Sequence, residues 1–165
     1  MPGKSKRPSG GKIRKAVIED APFIHMAIQK YASAADLLIK PLADIYSQIR
    51  EYFIYEVKGK PAGVIALHIY WSDMAEIRSF VVEQESRMKG GGGRLLKAAM
   101  SEAKKMGITK VFALTKIPGY FISRGFKEVE KAALPQKIWK DCLNCPKFPG
   151  CDETAVLFDY NGDKV

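Results

Sequence analysis

The stretch Val81-Val82-Glu83-Gln84-Glu85-Ser86-Arg87-Met88-Lys89-Gly90-Gly91-Gly92-Gly93-Arg94-Leu95-Leu96 joins three local tendencies in one order. It begins on an apolar run that reads as a buried strand and passes through four glycines, and from Gly92 onward its apolar positions recur at helical spacing. A helix that opens on glycines presents backbone N–H groups with no intrahelical partner, at the positive end of the helix dipole. With no Cβ in the way, an anion approaches those amides closely. Arg87, Lys89 and Arg94 add three cations around the same point, and a diphosphate is the group this arrangement suits. A nucleotide P-loop would continue into Gly-Lys-Ser/Thr, whereas here Gly93 is followed by Arg94 and Leu95. A dinucleotide fingerprint would sit in a parallel strand–helix–strand unit near the start of a domain, but an antiparallel meander comes first here. The bland alternative is a plain glycine turn. The strand before it, the amphipathic helix after it and the three flanking cations weigh against that alternative.

Downstream, Gly92–Lys105 carries Leu95, Leu96, Ala99, Met100 and Ala103 on one helical face, with Gly107 placed to end the helix. Lys110–Leu114 then reads as a strand, Gly119–Arg124 as a short helix closed by Gly125, and Phe126–Val129 and Thr154–Phe158 as strands. Upstream, Ala75–Val82 is a strand. Phe53–Val57, a turn at Gly59-Lys60-Pro61 and Gly63–Tyr70 form a hairpin. Lys12–Ile18 alternates as a first strand. Asp20 and Pro22 suit the start of a helix with Phe23, Ile24, Met26, Ala27 and Tyr31 on its apolar face. A second helix is expected over Leu42–Tyr52, opened by Pro41. A meander followed by strand–helix–strand predicts an α/β fold with a mixed sheet, in a single domain over residues 12–160.

The chain has 165 residues, 47% of them hydrophobic, enough to bury one core. Apolar stretches such as Gly63–Tyr70 are too short to cross a bilayer, and the basic N-terminus lacks the apolar segment of a secretory signal. No membrane association and a cytoplasmic location are therefore expected. Residues 1–11 hold Lys4, Lys6 and Arg7 among Pro, Gly and Ser, without an acidic residue, and are expected to be a disordered basic tail. With those three and Lys12 set aside, about +5 of the net charge of +9 is left to attract polyanions. A phosphorylated cofactor and a dicarboxylate substrate account for it. Aromatics are not interleaved with the basic residues, which disfavours nucleic acid. Cys142, Cys145 and Cys151 are an odd set of thiols with C-x2-C-x5-C spacing. That spacing suits a metal, but His25 and His68 are distant in sequence and no fourth ligand is at hand, so no metal site is expected. A homodimer is left open.

At the glycine run the sequence resembles the GNAT superfamily of N-acetyltransferases, whose signature is Arg/Gln-x-x-Gly-x-Gly/Ala followed by a helix. Arg87-Met88-Lys89-Gly90-Gly91-Gly92 satisfies it, and Leu95-Leu96 falls where the family has an apolar pair. A second landmark, Tyr120-Phe121-Ile122-Ser123-Arg124-Gly125-Phe126, is similar to the family's aromatic-x-x-x-Gly-Phe. The resemblance in element order runs from about Lys12 to Phe158. It implies a GNAT-like mixed, mostly antiparallel central sheet flanked by helices, and acetyl-CoA as cosubstrate. By the same resemblance, the backbone amides of Arg87, Met88, Lys89, Gly90, Gly91, Gly92, Gly93 and Arg94 hold the pyrophosphate. The backbone of Phe80, Val81 and Val82 pairs with the pantetheine arm as an added strand would. One departure stands out: many family members place a tyrosine four residues before the landmark glycine, as acid toward the departing thiolate. Here that position is Phe121, with Tyr120 one place earlier and so about 100° away around a helix.

A narrower resemblance accounts for the departure. Ile49-Arg50-Glu51-Tyr52-Phe53, Ala66-Leu67-His68, Ala75-Glu76-Ile77-Arg78-Ser79-Phe80, Ala113-Leu114-Thr115 and Leu134-Pro135 are similar to the acetyltransferase domain of bacterial N-acetylglutamate synthases. The cysteine-bearing stretch from Lys137 to Glu153 resembles the short, stand-alone members, which lack an amino-acid-kinase-like domain, as a chain of this length is expected to. This implies acetyl transfer to the α-amino group of an amino acid, L-glutamate, the first step of arginine biosynthesis. It also implies Glu76 as the base and Thr115 as the acid. The chemistry needs a base to free the amine, donors for the oxyanion and an acid for the thiolate. Strand alternation places Glu76 and Arg78 on one face, where a purely structural ion pair is the alternative. Lys40, Arg50 and Arg78 are the candidates for holding the two substrate carboxylates, the family having an arginine near the position of Lys40. For Arg50 a solvated helix position is the alternative, and His68 reads as a hydrogen-bonded core residue. Two other readings stand beside glutamate. One is a different small amine or a protein N-terminus as acceptor, and the other is a non-catalytic basic module that binds nucleic acid.

Overall fold

The computed structural model describes residues 10–31, 40–134 and 153–162. The period-2 segments become strands β1 (Lys12–Lys15), β2 (Tyr52–Val57), β3 (Lys60–Trp71), β4 (Met74–Val82), β5 (Lys110–Thr115), β6 (Lys127–Val129) and β7 (Thr154–Asp159). The helices are α1 (Ala21–Tyr31), α2 (Leu42–Ser47), α3 (Gly91–Lys105) and α4 (Pro118–Ile122). One seven-stranded sheet runs in the order β1-β2-β3-β4-β5-β7-β6. Every pairing is antiparallel except β4 with β5. The mixed, mostly antiparallel sheet flanked by helices, in a single domain, is therefore present as expected.

Both faces of the sheet are covered, which explains why β2 begins with four consecutive buried residues. Phe53 and Tyr55 pack with Leu95, Leu96, Ala99 and Ala103 of α3. Tyr52 and Ile54 pack on the opposite face with Ile24, Ala27 and Ile28 of α1 and Ile45 of α2. A third cluster of Met74, Phe112, Leu134 and Ala155, with Tyr70 against it, carries the core toward β7. Between this cluster and the one under α1 lies the polar group described below.

Most boundaries fall within one or two residues of expectation, and the larger departures each have a local reason. Helix α2 stops at Ser47 rather than Tyr52, because Gln48 leaves helical geometry (φ −106°, ψ 15°) and a 3-10 turn over Ile49–Glu51 feeds Tyr52 into the core side of β2. Strand β1 stops at Lys15 rather than Ile18. The Asp20 carboxylate accepts the Val17 N–H at 2.7 Å and pairs with Arg14, so it turns the chain before α1 instead of capping that helix. The hairpin turn is Lys58-Gly59, both in left-handed conformation (φ 50° and 76°), and Lys60 and Pro61 already belong to β3. Two left-handed residues make the turn type whose twist matches the flanking strands.

Strand β4 holds a feature with no sequence signal. Between the pairs Ala66–Arg78 and Val64–Val81, β3 supplies one residue and β4 supplies Ser79 and Phe80, with Ser79 at φ 50°. This bulge reverses the alternation. Ala75 and Ile77 pack on the α3 side before it; Phe80 and Val82 do so after it, while Val81 packs under α1.

Gly91 is required by packing rather than by conformation, since a Cβ there would lie 2.1 Å from the Tyr55 ring. Gly91→Ala should therefore cost about 1–3 kcal/mol through overpacking, more than the roughly 1 kcal/mol of helix propensity gained. We expect a net loss of about 1–2 kcal/mol and a thermal unfolding midpoint lower by about 2–8 °C. If Gly91→Ala melted with the wild type, the Tyr55 contact would not constrain the helix start.

Candidate active site

The site begins where pairing ends. β4 and β5 are in parallel register only from Met74–Lys110 to Glu76–Phe112. Beyond that point β4 runs on to Val82 with β3 on one edge and, among the described residues, no strand on the other. The two strand ends part around a cleft of about 660 Å³. Phe80, Val81 and Val82 form one wall, Lys116, Ile117, Tyr120 and Arg124 the other. Arg87, Gly90, Gly92 and Gly93 close one end, with Tyr31 of α1 alongside.

At the glycine end, Arg94 is the first residue of α3 whose N–H finds a helical partner, the Gly90 carbonyl at 3.3 Å. The amides just before it are free of intrahelical bonds. Gly90 adopts φ 77°, which glycine tolerates without a Cβ penalty. A Cβ on Gly92 would lie 3.2 Å from the Tyr120 hydroxyl and 3.5 Å from Phe80, and one on Gly93 3.7 Å from an Arg124 nitrogen. The cradle is thus one that added side chains would fill, and it fits a diphosphate.

The expected phosphate-loop residues divide. Arg87, Gly90, Gly92 and Gly93 line the cleft. Gly91 faces Tyr55, Met88 is 97% exposed, Lys89 is exposed, and Arg94 donates to the Gly11 carbonyl, tying α3 to the foot of β1. The 3-10 turn over Gln84–Lys89 accounts for this by directing successive side chains to different sides. Arg87 donates through Nε to the Val82 carbonyl (3.1 Å) and lies 5.0 Å from the centre of the Tyr31 ring. The Tyr31 hydroxyl in turn donates to Glu83 (3.0 Å) and accepts from the Gln84 N–H (3.1 Å), so the last residue of α1 anchors the loop.

Glu76, Arg78, Thr115 and Lys40 are not among the residues that line this cleft. Four residues before Phe80 on the same strand, Glu76 is the last β4 residue paired with β5, and it is only 7% exposed. Arg78 donates through Nε to Glu76 at 2.5 Å and through Nη2 to the Tyr70 hydroxyl. His68 lies directly across from Glu76 on β3, with its Nδ1 3.0 Å from each carboxylate oxygen of Glu51 and its ring edge-on to Tyr70. Burial pushes the Glu76 carboxyl above the ordinary carboxylate range, outweighing the charge and hydrogen bond of Arg78, the Tyr70 hydrogen bond and the charge of His68. Lys40 joins the same patch, its ammonium 5.6 Å from the centre of the Tyr52 ring. Its pKa is depressed, first by burial and then by the charge of Arg78, against the pull of Glu51, Asp44 and Glu76. Arg78 is thus paired with Glu76, and Lys40 lies over Tyr52, which is in cross-strand register with Arg78 through Ala66. Arg50 is not part of this cluster: it is exposed on the turn before β2, and its carbonyl accepts from Lys15.

Thr115 ends β5, buried, where its hydroxyl accepts the Ile117 N–H at 3.0 Å and keeps its own proton to donate. Phe121, at the family's tyrosine position, is buried among Phe80, Tyr120 and Phe126. Tyr120 faces the cleft, but its hydroxyl lies beside Gly92, at the phosphate end. Sequence reasoning missed Tyr31, Tyr70, Lys116 and Arg124. Only Tyr70 had a usable signal, its period-2 spacing from Ala66 and His68. Cys142, Cys145 and Cys151 lie outside the described residues. Among the described residues no His, Cys, Asp or Glu cluster could hold a metal, and no helix is long and apolar enough to cross a membrane.

The profile of the Acetyltransferase (GNAT) family matches residues 22–126. An uncharacterized N-acetyltransferase of Chlorobaculum tepidum is 39% identical over 145 residues, covering 88% of this chain and 94% of that relative. An amino-acid acetyltransferase of Mycobacterium tuberculosis is 30% identical over 132 residues, covering 78% of this chain and 75% of that relative. Among solved structures, N-acetylglutamate synthase of Neisseria gonorrhoeae, complexed with coenzyme A and N-acetyl-glutamate, matches with a TM-score of 0.82 at 27% identity. That match covers 93% of this chain but 36% of the synthase.

Gly92 borders the cleft, not the core, so Gly92→Ala should change stability by less than about 0.5 kcal/mol. The methyl group would narrow the cleft against Tyr120 and Phe80, and the Kd for acetyl-CoA measured by calorimetry should rise about tenfold or more. Unchanged affinity would show that the cradle lies elsewhere.

Proposed function

This chain belongs to the acetyltransferase (GNAT) family and takes its acetyl group from acetyl-CoA, and we propose that it delivers that group to the α-amino group of L-glutamate. The observation that carries this reading is the Arg78 guanidinium on the buried Glu76 where β4 and β5 part, with the Lys40 ammonium over the ring of Tyr52, in cross-strand register with Arg78 through Ala66. Two cations held together in a half-buried place repel each other and lose hydration. An acceptor with two carboxylates relieves both, and a neutral or cationic amine relieves neither. The names of the relatives point the same way: one is an amino-acid acetyltransferase, and the gonococcal synthase is complexed with N-acetyl-glutamate. On this reading the reaction is the first step of arginine biosynthesis, carried out in the cytoplasm.

Acetyl-CoA supplies a thioester whose carbonyl carbon is attacked by the acceptor nitrogen as the bond to sulfur breaks. Glu76 takes the proton that the amino group must lose. Its raised pKa makes it a stronger base than an exposed carboxylate near neutral pH. Thr115 gives its hydroxyl proton to the leaving sulfur, and Lys40 and Arg78 orient the two carboxylates of the acceptor. A substrate carboxylate at Arg78 divides the guanidinium's attention with Glu76, so acceptor binding itself strengthens the base.

Thiol release from acetyl-CoA, measured across amino acids, polyamines and peptides, should be fastest with L-glutamate. A flat panel would sink the acceptor assignment and leave family membership standing. Glu76→Gln should lower kcat by about 10²–10⁴ while leaving the acetyl-CoA Kd within a few-fold, as expected for a lost general base. Equal damage to both would make Glu76 structural. Glu76 must be deprotonated to act and its pKa is raised, so wild-type kcat/KM should climb as pH rises through that pKa and then level. The limb should be missing in Glu76→Gln, and for wild-type kcat it should lie at higher pH, because the bound acceptor weakens the hold of Arg78.

A further inference from the structure

The wall of the cleft opposite α3 carries a cation that the glycine motif does not include. Arg124 follows α4, and its guanidinium carbon lies 3.7 Å from the centre of the Tyr120 ring. Nη1 donates to the Tyr120 carbonyl at 2.9 Å and to the Ser123 hydroxyl at 3.3 Å. Nη2 is 3.7 Å from where a Cβ of Gly93 would stand, which places it against the first turn of α3. Arg124 lines the cleft, and among the described residues no carboxylate forms a salt bridge with it. The cation expected next to the glycines, Arg94, is instead engaged by the Gly11 carbonyl.

We propose that Arg124, seated on the Tyr120 ring, closes over the pyrophosphate of acetyl-CoA from the side opposite the α3 amides. A planar guanidinium suits the position: one face rests on an aromatic ring while its edge offers parallel donors to phosphate oxygens. Stacking on Tyr120 and the two fixed bonds of Nη1 hold the side chain ready, so little rotamer freedom is lost when the anion arrives. Tyr120 then serves as the platform of an anion clamp, which accounts for its place at the phosphate end of the cleft. The pyrophosphate is gripped from two walls, by backbone amides on one side and a guanidinium on the other.

The inference rests on acetyl-CoA being the cosubstrate, and binding assays keep the two apart. Calorimetry with wild type and Arg124→Ala would use three probes: acetyl-CoA, acetyl-dephospho-CoA, which lacks the 3′-phosphate, and S-acetylpantetheine, which lacks all phosphates. We expect the variant's Kd to rise about tenfold or more for both phosphate-bearing probes, as for loss of a charge-assisted contact, and to stay within twofold for S-acetylpantetheine. Unchanged affinity for acetyl-CoA overturns the clamp, and equal loss for all three probes reduces Arg124 to a structural role. A loss confined to acetyl-CoA moves the contact to the 3′-phosphate and overturns the pyrophosphate assignment. A wild type that binds none of the three overturns the cosubstrate reading itself.

Discussion

Parallel strands hold together only while their slanted hydrogen bonds can be made, and β4 and β5 make them from Met74–Lys110 to Glu76–Phe112 and then separate. The crossover between them runs through the Gln84–Lys89 turn and α3, so the helix starts just past the end of β4. Separation and helix start consequently coincide in space, at the carboxyl ends of the parallel pair, where open sheets bind ligands. Had pairing continued to Val82, the cleft would be filled by backbone hydrogen bonds and the α3 amides would face a closed sheet edge. The wedge is kept open by side chains on its floor, where Phe80, Phe121, Phe126 and Phe158 meet largely edge to face. The bulge at Ser79 turns Phe80 toward that floor.

The wedge also sorts chemistry along its length. From Glu76 to Val82 the strand spans about 20 Å, at roughly 3.3 Å per residue. One end is lined by glycines and exposed cations, where an anion exchanges its hydration for backbone amides. Earlier on the strand the surroundings are nearly dry: Glu76 is buried, in register with Phe112 on one side and His68 on the other. A phosphate could not be desolvated cheaply at the dry end, and a carboxylate at the wet end would keep an ordinary pKa. Opposite requirements are met because they are kept about 20 Å apart along a single strand.

Much of this was legible in the sequence, for reasons that also mark what was not. The run from Val81 to Leu96 announced strand, loop and helix, because glycines, cations and helical periodicity coincide there. Glu76 and Arg78 were correctly placed on one face, since alternation before the bulge is regular. The same count carried past Ser79 puts Phe80 and Val82 on the wrong face, and nothing in a serine warns of φ 50°. The cleft is a stretch of missing pairs between strands far apart in sequence, which no local pattern encodes. The Arg94 side chain, adjacent to the glycines in sequence, donates to the Gly11 carbonyl. Adjacency in sequence fixes where a helical residue's Cα lies, whereas its direction around the axis decides what it meets.

The acceptor end is also a balance of charges, and the balance explains its composition. Glu51 and Glu76 are interleaved with His68, Arg78 and Lys40, and Tyr70 links the series by accepting from Arg78. A lone buried carboxylate would be held protonated and could not act as a base, while one fully neutralised by an arginine would be too weak a base. Glu76 lies between these limits: burial raises its pKa, Arg78 lowers it, and the guanidinium is shared with Tyr70. Arg78 is therefore a poor permanent partner and a good exchangeable one. On the proposed function, an acceptor carboxylate received by Arg78 would draw on the charge that restrains the base, so binding of an anionic substrate and activation of Glu76 would become one event. Lys40, already pushed toward its neutral form by burial and by Arg78, gains most from the same arrival. Under that proposal the site would favour acceptors by their negative charge before it tests their shape.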